Sequence, residues 1–284
     1  VVPDSGCGSW LWEPQSTNLI TQSELFSDAS WSVVSGNVNT NETVSPDGTQ
    51  NASKFNTTSA GSRVQQPLSF SGVNTISIFV KYAGDDVTVR FERNTTNDRC
   101  SFDVSSLGVV FNSAETGIID YKIEEFNNGW YRISCVYNGG SYFQFYGDTS
   151  YGNGSVYIWG AQAENLSYAS SLIPTSGSQV TRNQDVCTNG GSLASINSTE
   201  GTLYFEGAAL RETNDNLQFL SLGSGSYTSN SIYLQLRAAP NQFAVWAYSN
   251  NLNQLADVFS VTDITQFNKI AISYKLNDFK VYVN

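Results

Sequence analysis

Six side chains in the middle of the chain have the types and spacing of a sugar-binding surface: Arg90 and Glu92 in DVTVRFER, Arg132 in WYRISC, and Tyr142, Gln144 and Tyr146 in SYFQFYGD. Sugars present apolar C–H faces and hydroxyl edges. Tyrosine rings supply stacking to the first, and Arg, Glu and Gln supply directed hydrogen bonds to the second. Strand parity turns these residues outward together. In SYFQFYGD, Phe143 and Phe145 share one face while Tyr142, Gln144 and Tyr146 share the other. Likewise Val87, Val89 and Phe91 lie opposite Thr88, Arg90 and Glu92, and Tyr131, Ile133 and Cys135 lie opposite Arg132 and Ser134. The apolar faces build a core, which leaves the six as an outer set. The competing account is an ordinary solvated sheet face with cross-strand ion pairs, because parity alone does not say which strands are neighbours. A second pair of rings, Trp246 and Tyr248 in NQFAVWAYSN, shares a parity opposite Phe243, Val245 and Ala247 and offers a second sugar-facing surface.

Catalysis finds little support. The chain has no histidine, which removes the commonest general base, the imidazole of nucleophilic triads and the commonest zinc ligand. Neither GxGxxG nor GxxxxGK[ST] occurs. A glycosidase would need two carboxylates about 5–10 Å apart. Glu124 and Glu125 are sequence neighbours and point to opposite sheet faces, and Glu200 and Glu206 are separated by GTLYF. The expectation is a binding protein and not an enzyme.

The partners are bounded by charge and hydropathy. The 14 Lys+Arg stand against 25 Asp+Glu for a formal charge of −11, with no basic run, so nucleic acid is a poor partner. No apolar run approaches the roughly 20 residues of a membrane helix, and VVPDSGCGSW is not a secretory signal. There is no Met, and the last residues, KIAISYKLNDFKVYVN, read as strand to the end; the expectation is a piece of a longer polypeptide.

The elements that must position these residues are short strands. NTISIFVKY, DVTVRFER, RCSFDV, GVVFN, IIDYKIEEF, GWYRISCVY, SYFQFYGD and SVYIWGA alternate and are separated by turns such as AGDD, NNG and NGG. No helical period intervenes, which predicts a two-sheet antiparallel sandwich. The polar run from Gly36 to Ala60 reads as loops and short edge strands. Residues 1–17 read as a lead-in and 175–193, with PTSGSQ and TNGG, as a linker. A second β region then carries GTLYFEGAAL, LQFLSLGSG, NSIYLQLRAA, NQFAVWAYSN and NKIAISYKLNDFKVYVN. The fold class is therefore all-β, with two antiparallel sandwiches in tandem, at 18–174 and 194–284. Cys100 and Cys135 share parity with core residues and are expected to be free buried thiols, while Cys7 and Cys187 flank the first domain and could bridge. Seven N-x-S/T triplets are attributed to chance in an Asn-, Ser- and Thr-rich chain.

Three phrases in order, NLITQSELFSDASW (18–31), GWYRISCVY (129–137) and NGSVYIWGAQAE (153–164), resemble the opening, late central and closing strands of jelly-roll carbohydrate-binding modules. LWEPQSTNL and SSLIPTSGSQVTRNQDV resemble linker phrases of phage fibre and adhesion proteins. The resemblance covers residues 10–186. It implies a module displayed on a virion appendage such as a tail fibre, facing bacterial surface polysaccharide, beside other virion proteins and in a homo-oligomer, with trimers usual. A ligand-free connector of the virion, or a binding module of a secreted glycan-degrading enzyme, are the alternatives. Trp130 and Tyr131 match the phrase GWYRIS, where they look structural; Trp31 and Trp159 could pack or be displayed. Relatives often hold a structural calcium near the first and last strands, for which Glu24, Asp28 and Asp47 are the matching oxygen ligands; Trp159 and Gly160 stand where ion-binding relatives carry paired acids. The second region resembles about half of a laminin-G or concanavalin-like lectin sandwich, a truncated second domain.

Overall fold

In the computed structural model, the described residues are 10–93, 98–148, 153–187, 190–192, 194–210, 217–223, 226 and 228–284. They divide into two compact units, Trp12–Val186 and one built on Cys187–Asn284. Among the described residues of the first unit, the strands are β1 (Ser16–Asn18), β2 (Ser32–Val34), β3 (Gly36–Thr43), β4 (Ala52–Thr57), β5 (Arg63–Pro67), β6 (Val73–Tyr82), β7 (Val87–Arg93), β8 (Asp98–Ser105), β9 (Gly108–Ala114), β10 (Ile118–Phe126), β11 (Trp130–Asn138), β12 (Tyr142–Asp148), β13 (Gly154–Glu164) and β14 (Val180–Arg182).

Twelve of these strands form two six-stranded antiparallel sheets. Sheet I has the order β10-β11-β6-β13-β4-β3 and sheet II the order β2-β5-β12-β7-β8-β9. Their inner faces meet as the alternation predicts. Phe55, Ile76, Ile78, Val80, Ile133, Val156 and Ile158 of sheet I share one core with Val64, Val87, Val89, Phe91, Phe102, Phe143 and Phe145 of sheet II. Burying each such side chain contributes about 1.5–3 kcal/mol. Phe91 is the hub: it meets Phe102, Phe143 and Phe145 edge-on at centroid distances of 6.4, 5.9 and 5.8 Å. Cys100 and Cys135 are free and buried in this core. Burial and a hydrogen bond to Cys100 push the Cys135 thiol well above its ordinary range. Cys7 lies outside the described residues, and Cys187 is exposed.

The strands depart from the sequence reading in four places. Residues assigned to the lead-in and the linker contribute β1 and β14, which pair from Ser16↔Arg182 to Asn18↔Val180. The opening phrase 18–31 forms an irregular edge in place of a long strand. It is held to β13 by Leu19 N–H donating to Ala163 O and Ala161 N–H donating to Ser23 O, both at 2.8 Å. Asn18, fully buried, uses its whole amide: Nδ2 donates to Ala161 O and Ile173 O, and Oδ1 accepts from Ile20 N and Ala163 N. Within the polar run 36–60, β4 is an interior strand between β13 and β3; small Ala52 and Ser53 fill buried positions that the eye expects to be Val or Ile. In β13 the register shifts between Trp159 and Gln162, where Gly160 adopts φ +63°. That bulge puts Ile158, Ala161 and Ala163 in the core and turns Gln162 and Glu164 outward.

The second unit carries β15 (Glu200–Gly207), β16 (Leu217–Gly223), β17 (Ser231–Leu236), β18 (Gln242–Ser249), β19 (Leu252–Ser260), β20 (Asn268–Lys275) and β21 (Asp278–Val283). They form a three-stranded sheet, β15-β20-β21, and a four-stranded one, β16-β17-β18-β19. Ile232, Leu234, Phe243, Val245, Ile264, Ile270 and Ile272 form their common core.

Candidate functional site

Five of the six residues selected by parity lie on the outer face of sheet II. β12 runs between β5 and β7, which sets Tyr146 opposite Arg63 on one side and Arg90 on the other, and Gln144 opposite Gln65. One strand further, β8 places Ser101 beside Arg90 and Arg99 beside Glu92. Tyr142 stands at the end of β12, 37% exposed, opposite Pro67.

The side chains on this face hold one another. The Arg90 guanidinium lies 4.3 Å from the Tyr146 ring centroid and that of Arg63 5.4 Å from it, so the ring is gripped by two cations. Glu92 Oε2 accepts from Arg90 Nε and Arg99 Nε, each at 3.2 Å. On the other flank Gln65 Oε1 accepts from Arg63 Nε at 2.7 Å and from Gln144 Nε2 at 3.0 Å. Lower on the face Asp103 accepts from Thr88 Oγ1 at 2.6 Å and from Asn112 Nδ2. Burial, reinforced by the Glu92 charge, raises the Tyr146 pKa and keeps its hydroxyl a neutral donor. One polar atom is left over: Gln144 Oε1 is buried and has no hydrogen-bond partner. An unmet buried acceptor costs about 1–3 kcal/mol. Arg63, Gln65, Arg99 and Asp103 belong to the same face and were missed by parity reading. For Asp103 the signal was present, since it shares the parity of Ser101 in RCSFDV.

Arg132 is not part of this face. Its outward parity is correct, but β11 belongs to sheet I, where the segment that follows β13 lies over it at Ser170. Arg132 is buried, donating from Nη1 to Ser170 O at 2.6 Å and from Nη2 to Ser77 Oγ at 3.0 Å, with its guanidinium 5.4 Å from the Phe79 ring. Burial lowers its pKa, and the charges of Glu164, Glu124 and Glu13 oppose that shift. Glu164, fully buried, accepts from Ser16 Oγ, Gln162 Nε2, Ser170 N and Ser170 Oγ. This cluster ties Ser16 and Ser170, near the two ends of the first unit, to sheet I. Trp130, Trp159 and Trp31 are likewise buried in packing roles.

In the second unit, Trp246 and Tyr248 stand on the outer face of β18 and are joined by a ring the sequence reading missed, Tyr233 of β17. Tyr233 lies nearly parallel to both, at centroid distances of 6.4 Å to Trp246 and 6.3 Å to Tyr248. The alternation of NSIYLQL carried that signal.

The three acids matched to calcium do not assemble into one ligand set. Asp28 Oδ1 accepts the Ser30 amide at 2.8 Å, and this bond lowers its pKa. In Asp47, burial works to raise the pKa but is outweighed by hydrogen bonds from Ser45, Thr49 and Asn51, and the net shift is downward. Glu24 shifts upward through burial and then through the Asp47 charge. Among the described residues no group of three or more His, Cys, Asp or Glu side chains is placed to hold a metal. Glu24 and Asp47 are linked through the Asn51 side chain and would supply only part of the six to eight oxygens, carbonyls and waters included, that calcium takes. The raised pKa of Glu24 has a definite consequence. Its ionised form costs stability above the folded pKa, and the cost disappears as pH falls below the ordinary glutamate range. Glu24→Gln is therefore expected to raise the melting temperature at pH 7 and to have no effect near pH 3. A fall at pH 7 that appears only when calcium is added would restore the ion.

No family model matches the chain, and no curated protein matches it. Among solved structures it is similar to the CBM22-1 and GH10 modules of the Clostridium thermocellum N-terminal endo-1,4-beta-D-xylanase 10B, complexed with xylohexaose. Identity is 14% and the TM-score 0.31, over 56% of this chain and 30% of that one, so the chain spans less than a third of that structure. The site is assigned on its own geometry.

Proposed function

We propose that this chain is a non-catalytic adhesion segment whose first sandwich binds glycans on the outer face of sheet II, displayed on a phage virion appendage such as a tail fibre. The observation that carries glycan binding is the buried, unpartnered Oε1 of Gln144, set between Tyr142 and the Arg-gripped ring of Tyr146. Turning of the Gln144 amide would bring that acceptor to a sugar hydroxyl while the sugar's C–H face lies on the exposed Tyr142 ring. The virion setting is supported by the phage-like phrases at 11–19 and 170–186. A shallow site of this kind binds weakly, and a homo-oligomer such as a trimer would multiply it into useful avidity on a bacterial surface polysaccharide.

The close packing of Arg90, Glu92 and Tyr146, each less than a tenth exposed, favours a rival reading, a ligand-free connector. Gln144→Leu separates the two because it removes the unmet acceptor at nearly constant volume. Expected are an unchanged or higher melting temperature and a loss of about tenfold in affinity for host polysaccharide, with a similar loss in Tyr142→Ala. The reading fails if the wild-type chain shows no saturable binding on a panel of bacterial surface glycans, or if both variants bind as it does.

A further inference from the structure

The outer face of the three-stranded sheet in the second unit holds a slot that none of the foregoing uses. Register places Tyr204 of β15, Ala271 of β20 and Tyr282 of β21 side by side across the sheet. Both tyrosines are more than half exposed. The inward neighbours Ile270 and Ile272 are in the core, so the alanine floor is fixed. The result is a cavity of about 270 Å³ lined by Tyr204, Lys269, Ala271, Tyr282, Val283 and Asn284.

Its dimensions follow from sheet geometry. Two strand spacings put the tyrosine positions about 10 Å apart, and side chains stand roughly perpendicular to the sheet. Two van der Waals contacts of about 3.5–4.0 Å use up most of that width and leave the rest for the pucker of one saturated ring. The volume is below the usual span of drug-sized ligand sites, which limits the occupant to a single small ring. The charges limit it further. Lys269 lies 3.6 Å from Glu206, which also accepts the Tyr204 hydroxyl at 2.7 Å, and Lys275 and Lys280 both reach Asp278. Register also sets Glu200 opposite Lys275, so three lysines meet three carboxylates and the face is electrically balanced although the chain carries −11.

We infer that this slot binds one neutral pyranose ring, stacked between Tyr204 and Tyr282 with its hydroxyls toward Lys269 and Asn284. It shares no residue with sheet II, so the two sites stand or fall separately.

Saturation-transfer difference NMR on the full chain tests it, with methyl glycosides of glucose, galactose, N-acetylglucosamine and glucuronic acid as probes. Ala271→Phe fills the slot, and the double variant Tyr204→Ala/Tyr282→Ala removes its walls from exposed positions. Expected is saturation of ring C–H protons in at least one neutral glycoside, weakened about tenfold or more in both slot variants and unchanged in Gln144→Leu. A signal lost in Gln144→Leu and kept in both slot variants overturns the slot and sustains the sheet II site. Silence from every neutral glycoside, or stronger binding of the glucuronide, also overturns it.

Discussion

Arg132→Ala is expected to destabilise the first unit by about 3–5 kcal/mol, because it removes the buried cation whose charge offsets that of fully buried Glu164 and leaves that carboxylate in place. Of the acids whose charges act on Arg132, Glu13 is paired with Arg182 and Glu124 with Lys122, while buried Glu164 forms no salt bridge among the described residues. Alanine would also remove the bonds of Arg132 to Ser170 O and Ser77 Oγ and its contact with Phe79. For a unit of this size the melting temperature should fall by roughly 6–20 °C. Calorimetry with Arg90→Ala in parallel makes the comparison sharp. Arg90 lies on the outer face of sheet II, and its loss should weaken glycan binding more than it lowers the melting temperature. If Arg132→Ala instead melted like the wild type and lost glycan binding, the placement of this arginine would be wrong.

Phe91→Ala should cost about as much, roughly 3–5 kcal/mol, by opening a cavity at the junction of three other rings. Phe102, Phe143 and Phe145 all lean on it, and each belongs to a strand of sheet II. The effect should not stop at stability. Phe91 is the residue between Arg90 and Glu92 in β7, so relaxation of the strand into the cavity shifts both outward side chains. Chemical denaturation and glycan titration of one variant should therefore both move. A cost below about 1 kcal/mol would mean that the rings close over the gap and that Phe91 is not the hub.

Much of the candidate face was legible because a two-residue period needs no tertiary information. Tyr142, Gln144, Tyr146, Arg90 and Glu92 follow from alternation against Phe143, Phe145, Val89 and Phe91. What alternation lacks is the identity of the neighbouring strand. Arg132 has the right parity on the wrong sheet, since the pairing of β11 with β6 and β10 is set by contacts distant in sequence. RVQQP (63–67) was unreadable for a different reason. Its interior positions are Val64 and Gln66, and the second is a polar residue buried through hydrogen bonds with Thr21 and Ser30. Alternation is equally silent on the three acids matched to calcium, because they sit in short polar turns where a carboxylate also binds nearby amides, as Asp28 and Asp47 do. In LNQLADVFS (252–260), β19 escaped notice because Leu252 and Val258 are exposed and blur the alternation.

The pairing of β1 with β14 bears on how the first sandwich would carry load. The two strands are antiparallel and matched at three positions, and the contacts of Glu13 with Arg182 and Asp185 lie just outside them, so the chain enters the unit directly beside where it leaves. Tension along the polypeptide would therefore pull along the hydrogen bonds of this pair and open them one after another, the weak direction of a ladder. The twelve strands of the two large sheets hang beyond that gate, outside the line of force. Under such tension the first sandwich would act as a pendant, yielding at its stem while its broad faces keep their form.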